Sequence, residues 1–169
     1  SEISLRLTKA PKNTTQDFEY YIVSSSLFSS KIEGNTLDFN SFYRNRGKLN
    51  LSKSKEIDEI ENLVKAYSFA SQNDFSIENF LTTHHILSET LVEDFERGNY
   101  RKHQVGVYDS STGRPLYMAV EAEYIKNEMD KLFADIEILT KSELSHREVL
   151  YFASMIHLWI AMIHPFADG

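Results

Sequence analysis

Six residues near the end of the chain, His164-Pro165-Phe166-Ala167-Asp168-Gly169, combine the groups best suited to acid–base and phosphate chemistry. An imidazole of ordinary pKa, about 6.5, serves as a general base near neutral pH. Pro165 stiffens the backbone that aims it. Asp168 offers a hard oxygen of the kind that binds Mg²⁺ when substrate phosphates complete the shell. Gly169 permits a tight turn whose N–H groups face an anion, and Phe166 pins the segment by packing inward. Residue types alone leave a plainer reading open: a loop histidine, a packed Phe and an ordinary Asp-Gly turn. Other candidates are sparser. His157 lies seven residues before His164 on the same helix face, and His85 and Glu89 have i, i+4 spacing; two ligands fall short of the three or four that zinc takes. With no cysteine in the chain, disulfides, thiol catalysis and zinc-cysteine sites are excluded.

The elements that must position these groups are mostly helical. Thr14 and Thr15 are N-cap candidates, with Asp17 and Glu19 in the first turn. Phe18, Tyr21, Ile22, Ser25, Phe28 and Ile32 follow at helical spacing, and Gly34-Asn35 is a stop signal. A second helix is expected from about Ser54, with Ile57, Ile60, Leu63, Val64, Tyr67 and Ala70 on one face, broken at Asn73-Asp74. Ser76 caps a third that carries Ile77, Phe80, Leu81, His84, Leu87 and Leu91. Val105-Gly106-Val107 and Pro115-Leu116-Tyr117-Met118 read as two short strands around the turn residues Asp109 to Gly113. Ala122, Ile125, Met129, Leu132, Phe133 and Ile136 mark a fourth helix. The last begins with the capping box Ser145-His146-Arg147-Glu148. Val149 through Ile163 is then apolar almost all round, which predicts a helix at the centre of the domain, ended by Pro165.

At 169 residues, with 41% hydrophobic and 25% charged residues, the chain is long enough to bury a core without staples. Its net charge of −7 argues against a nucleic-acid backbone as partner. The longest apolar stretch is too short to span a bilayer, and no N-terminal segment resembles a signal peptide. The Asn13-Thr14-Thr15 sequon therefore carries no weight, and a soluble, cytoplasmic protein is expected.

His164 to Gly169 resembles the first six places of the Fic-family signature, H-x-F-x-(D/E)-G-N-G-R-x-x-R, and follows an apolar helix as in that family. The remaining places fall beyond Gly169. The resemblance implies an all-α helical bundle around a central apolar helix, with a small β-hairpin flap. It also implies transfer of AMP from ATP to a hydroxyl of a target protein. His164 would be the base, Asp168 the Mg²⁺ ligand, and Phe166, Asp168 and Gly169 would lie at the nucleotide.

Ser29-Ser30-Lys31-Ile32-Glu33-Gly34 is similar to the family's inhibitory pattern, (S/T)-x-x-x-E-(G/N), with Ser29 and Glu33 on one helix face. In the family this Glu pairs with the second signature arginine, which otherwise holds the ATP γ-phosphate. The expected organisation is an N-terminal region with the inhibitory helix, residues 1–75, and a core, residues 76–169, that continues past the end of the sequence. The hairpin corresponds to the family's flap. Val105, Gly106, Val107, Leu116, Tyr117 and Met118 are expected to align a target segment by strand addition, and Arg101, Lys102 and Arg114 beside it read as solvated bases. Removal of AMP, transfer of another phosphate-containing group and a catalytically silent interaction module stay open. So does self-association. Serines 24, 25, 26, 29 and 30 read as small helix-face residues, with self-modification as a second option.

Overall fold

The computed structural model describes residues 15–32, 34–45 and 55–168. Asn13, Thr14, Glu33, Ser54 and Gly169, all singled out above, lie outside the described residues. Six α-helices, two short 3-10 turns at Ser88–Thr90 and Ala122–Tyr124, and one two-stranded antiparallel sheet are the regular elements of the described residues. The residues group into two units, 1–68 and 69–169.

The first unit holds α1 (Thr15–Ile32), α2 (Phe39–Asn45) and most of α3 (Lys55–Gln72). Its core is Val23, Leu27, Phe42, Ile57 and Ile60. The buried face of α1 is thus not the stripe expected from sequence: Tyr21, Phe28 and Ile32 are exposed, while Val23, Ser26, Leu27 and Ser30 are buried. The reason is that α1 is apolar on two faces, and small serines suit the packed one. Ser26 stays satisfied there by donating to the Ile22 carbonyl at 2.9 Å. The short helix α2 has no counterpart in the expected elements. Its start is fixed by Asp38, which accepts from the Ser41 N–H at 2.8 Å.

The end of α1 is a glycine-capped turn. The Gly34 N–H donates to the Lys31 carbonyl and the Asn35 N–H to that of Ser30, with Gly34 at φ 96°. Glu56 on α3 then accepts from both the N–H and the hydroxyl of Thr36. Asn35 donates to the Glu56 carbonyl at 3.0 Å.

The second unit contains α4 (Ile77–Leu87), β1 (Gly106–Tyr108), β2 (Pro115–Met118), α5 (Ile125–Thr140) and α6 (His146–Ile163). Ser76 caps α4 as expected, but the helix ends at Leu87, short of Leu91. Ser145 and Glu148 form the capping box of α6. The packing centre is α5: Ile125, Met129, Leu132, Phe133 and Ile136 are buried and joined by Ile163 from the last turn of α6. The rest of α6 departs from the expected surrounded helix. Leu150 is 71% exposed and Tyr151 60%, and Val149, Leu158, Trp159 and Met162 are also exposed. Among the described residues these side chains are covered only in part.

Between α4 and α5 the strands pair with Gly106 opposite Met118 and Val107 opposite Tyr117, with an irregularity before Tyr108. Asp109 builds the turn by accepting from the N–H groups of Ser111 and Thr112. The Ser111 hydroxyl, which also donates to this carboxylate, and then these two N–H groups hold it below the usual carboxylate range. No helix among the described residues is long and apolar enough to cross a membrane.

Candidate active site

The site is built on the end of α6. The His164 N–H donates to the Ile160 carbonyl at 2.8 Å, and His164 takes the left-handed conformation, φ 49° and ψ 66°. This is the single-bond helix cap in which glycine is the usual occupant. Pro165 keeps its neighbour out of the right-handed helix, as expected, yet His164 turns left-handed rather than extended. His164 is exposed, while Pro165 and Phe166 after it are buried.

Arg101 holds this turn. It is 4% exposed, so the expectation of a solvated base fails. Its Nε donates to the His164 carbonyl at 2.7 Å and Nη2 to that of Ile163 at 3.2 Å. Its own N–H donates to the Pro165 carbonyl at 2.9 Å. Desolvation lowers its pKa from the ordinary value, but a guanidinium remains charged. A cation here also meets the negative end of the α6 dipole.

The Phe166 ring packs against His84, Phe80 and Tyr100, stacked on the first with ring centroids 3.6 Å apart. His84, from α4, is 2% exposed. Its Nδ1 accepts from the Gly98 N–H at 2.9 Å, so the proton sits on Nε2, which donates to the Asp168 carbonyl at 2.8 Å. Burial pushes the imidazole pKa down, against the opposing pull of Asp168. A neutral histidine thus ties the Asp168 main chain to α4, and Asp168 itself is an exposed residue.

A single exposed carboxylate on a fixed backbone fits Mg²⁺ that arrives with substrate phosphates, which takes only one or two protein carboxylates. It does not fit an ion caged by protein alone. Among the described residues, no group of three or more His, Cys, Asp or Glu is placed to hold a metal; His157 and His85 are both exposed. Beside His164 lies a pocket of about 220 Å³ with a mostly apolar lining that includes Phe80, Thr83, Leu87, Ile160 and Ala161.

The hairpin meets the same helix end. The Tyr117 hydroxyl donates to the Met162 carbonyl. Gly106 and Val107 lie on β1, and Leu116, Tyr117 and Met118 on β2, whereas Val105 precedes β1 and extends the pairing by accepting from the Ala119 N–H at 3.1 Å. Val107, Leu116, Tyr117 and Met118 are exposed. A side chain at Gly106 would collide with the Tyr117 carbonyl 2.7 Å away. Ser29 is half-buried on α1 and Gly34 is exposed, both in the first unit.

His164, Phe166 and Asp168 are therefore joined by two residues that the sequence did not single out for the site. His84 was legible as a core position of α4, but its partner lies 84 residues away. For Arg101 no local spacing signals its acceptors.

The Fic/DOC family model matches residues 74–169. The chain is also similar to a solved structure, that of a Fic family protein from Desulfovibrio desulfuricans G20. The likeness covers 92% of this chain at 27% identity, with a TM-score of 0.69. The chain spans 46% of that protein's length. No curated protein matches it.

Proposed function

The chain belongs to the Fic/DOC family, and from that premise we propose that it carries the base and metal-binding residues of a protein adenylyltransferase. The supporting observation is the exposed residue His164 on a main chain fixed by Arg101, four residues before the exposed residue Asp168 whose backbone is fixed by His84. In-line phosphoryl transfer asks the protein for a positioned base and charge stabilisation more than for covalent chemistry.

In this reading the hydroxyl oxygen of a target side chain attacks the α-phosphorus of ATP. The bond from that phosphorus to the bridging oxygen breaks, and pyrophosphate leaves. His164 accepts the hydroxyl proton. Asp168 would hold the Mg²⁺ that accompanies ATP, and the ion's contribution there is to neutralise charge on the leaving phosphates. The Phe166 ring is occupied in packing, so its part at the nucleotide would fall to its backbone. The exposed hairpin edge, with Val107 and Tyr117, would align the target segment by strand addition.

Labelled-ATP transfer by the full-length protein tests the reading. His164→Ala should lower the rate at least ~10²-fold, the smaller end of what a general base contributes. Undiminished transfer by a folded His164→Ala protein would falsify it.

The inhibitory role of Ser29, Glu33 and Gly34 belongs to the same proposal. It is supported by the fixed end of α1, where the Gly34 turn and the Glu56–Thr36 bonds set the chain direction. Glu33→Gly should raise AMP incorporation in the same assay. Unchanged rates and unchanged ATP affinity would remove that role.

A further inference from the structure

We propose that Arg101 is a positioning residue for the transfer: one buried guanidinium fixes both the turn that aims His164 and the two roots of the hairpin that faces the acceptor. The inference rests on the adenylyltransferase reading and adds a residue that the reading does not use.

The need for such a residue follows from the dipeptide His164-Pro165. A helix leaves its last carbonyls without donors of its own. In a glycine-capped end, the two residues after the helix supply N–H groups to these carbonyls. Here His164 supplies one, to Ile160, but the next residue is a proline and has no N–H. Donors must come from outside the helix. The Tyr117 hydroxyl takes the Met162 carbonyl, and Arg101 takes those of Ile163 and His164.

The bond to His164 bears most directly on the base. At φ 49° a residue with a Cβ sits in a conformation that its side chain resists. Relaxing it would swing the His164 carbonyl away from Arg101 Nε and redirect the imidazole. The guanidinium therefore stabilises the strained turn it binds.

The remaining donors of the fork reach the hairpin. Nη1 donates to the His103 carbonyl at 2.7 Å, just before the first strand, and Nη2 also donates to the Val120 carbonyl, just after the second. All four side-chain acceptors are main-chain oxygens, so the group reads backbone position and nothing else. The hairpin cannot pivot at its base without disturbing the cation that holds the base's turn. Lysine would keep the charge at the helix end, but a single ammonium cannot span carbonyls that lie on three segments.

The test uses the full-length protein and ATP as probe. In wild type, the Arg101 Nε–H should exchange with solvent at least a hundredfold more slowly than those of the exposed Arg114 and Arg147. Arg101→Lys and Arg101→Gln should fold, by circular dichroism, and lower kcat for AMP incorporation at least tenfold with KM for ATP within twofold. The main-chain ¹³C shifts of His164 should move away from left-handed values. Fast Nε–H exchange in wild type, a wild-type kcat in either folded variant, or unmoved His164 shifts would overturn the proposal. Failure of both variants to fold would make Arg101 structural only and overturn it as well. No transfer by wild type would instead remove the adenylyltransferase reading, while the exchange and shift measurements still decide whether Arg101 holds His164.

Discussion

Truncating the Phe166 ring tests whether the segment from His164 to Asp168 is held by the core rather than by local turn chemistry. The ring is 6% exposed and lies against His84, Phe80 and Tyr100. An aromatic side chain buries roughly 150–250 Å², which at about 25 cal/mol per Å² amounts to ~4–6 kcal/mol. Residual burial in the unfolded chain reduces this by roughly 10–40%. The result, about 2–5 kcal/mol, overlaps the usual cost of Phe→Ala in a core, roughly 3–5 kcal/mol. For a unit of ~100 residues, Phe166→Ala should then lower the melting temperature by at least ~12 °C. Phe166→Leu keeps most of the volume and should cost less than about 2 kcal/mol. Urea and thermal denaturation followed by circular dichroism give both values. A loss below ~1 kcal/mol for Phe166→Ala would show that the ring does not anchor the segment, and the packing argument for the fixed Asp168 would fail with it.

Two further substitutions probe the same anchor from α4. Gly98 has φ 66°, and a Cβ there would stand 2.8 Å from the Leu81 carbonyl oxygen. Gly98→Ala should therefore cost at least the ~1–3 kcal/mol of a strained backbone, and a urea midpoint within error of wild type would refute this. His84 supplies a pH dependence. Its folded pKa is lowered from 6.5, first by burial, with Asp168 opposing and His85 adding to the shift. The unfolded chain thus binds the proton more readily, so the stabilisation is complete above pH ~6.5 and declines as pH falls through that value toward the folded pKa. Urea midpoints between pH 7.5 and 5.5 should drop in wild type and drop less in His84→Gln; equal slopes would exclude His84 as the source.

The helical elements were legible where period and caps agreed. Ser76, Ser145 with Glu148, and Gly34-Asn35 each mark a boundary within a residue or two of the observed one, because capping is settled by neighbours in sequence. What packing decides was not legible. Two apolar faces on α1 left its buried side undetermined until Phe42, Ile57 and Ile60 chose Val23 and Leu27. The helix α2 has only seven residues, too few to show a period. Apolarity all round α6 predicts a surrounded helix, yet Leu150 and Tyr151 are mostly exposed among the described residues; hydrophobicity says that a face seeks a partner, not where the partner lies.

The same division runs through the site. His164, Phe166 and Asp168 were readable because they fall within five residues, where the order of a base, an inward aromatic and a carboxylate carries the chemistry. Arg101 and His84 act at long range: each binds main-chain carbonyls, which every residue possesses, so no side-chain pattern at the acceptor end marks the pairing. A partial signal nonetheless exists. A histidine followed by proline at a helix end removes the N–H that would complete the cap and leaves carbonyls that must find donors elsewhere. The donor best matched to several carbonyls at the negative end of a helix is an arginine fork. An arginine just ahead of the hairpin is therefore the residue that meets the demand Pro165 creates, and that demand buries it.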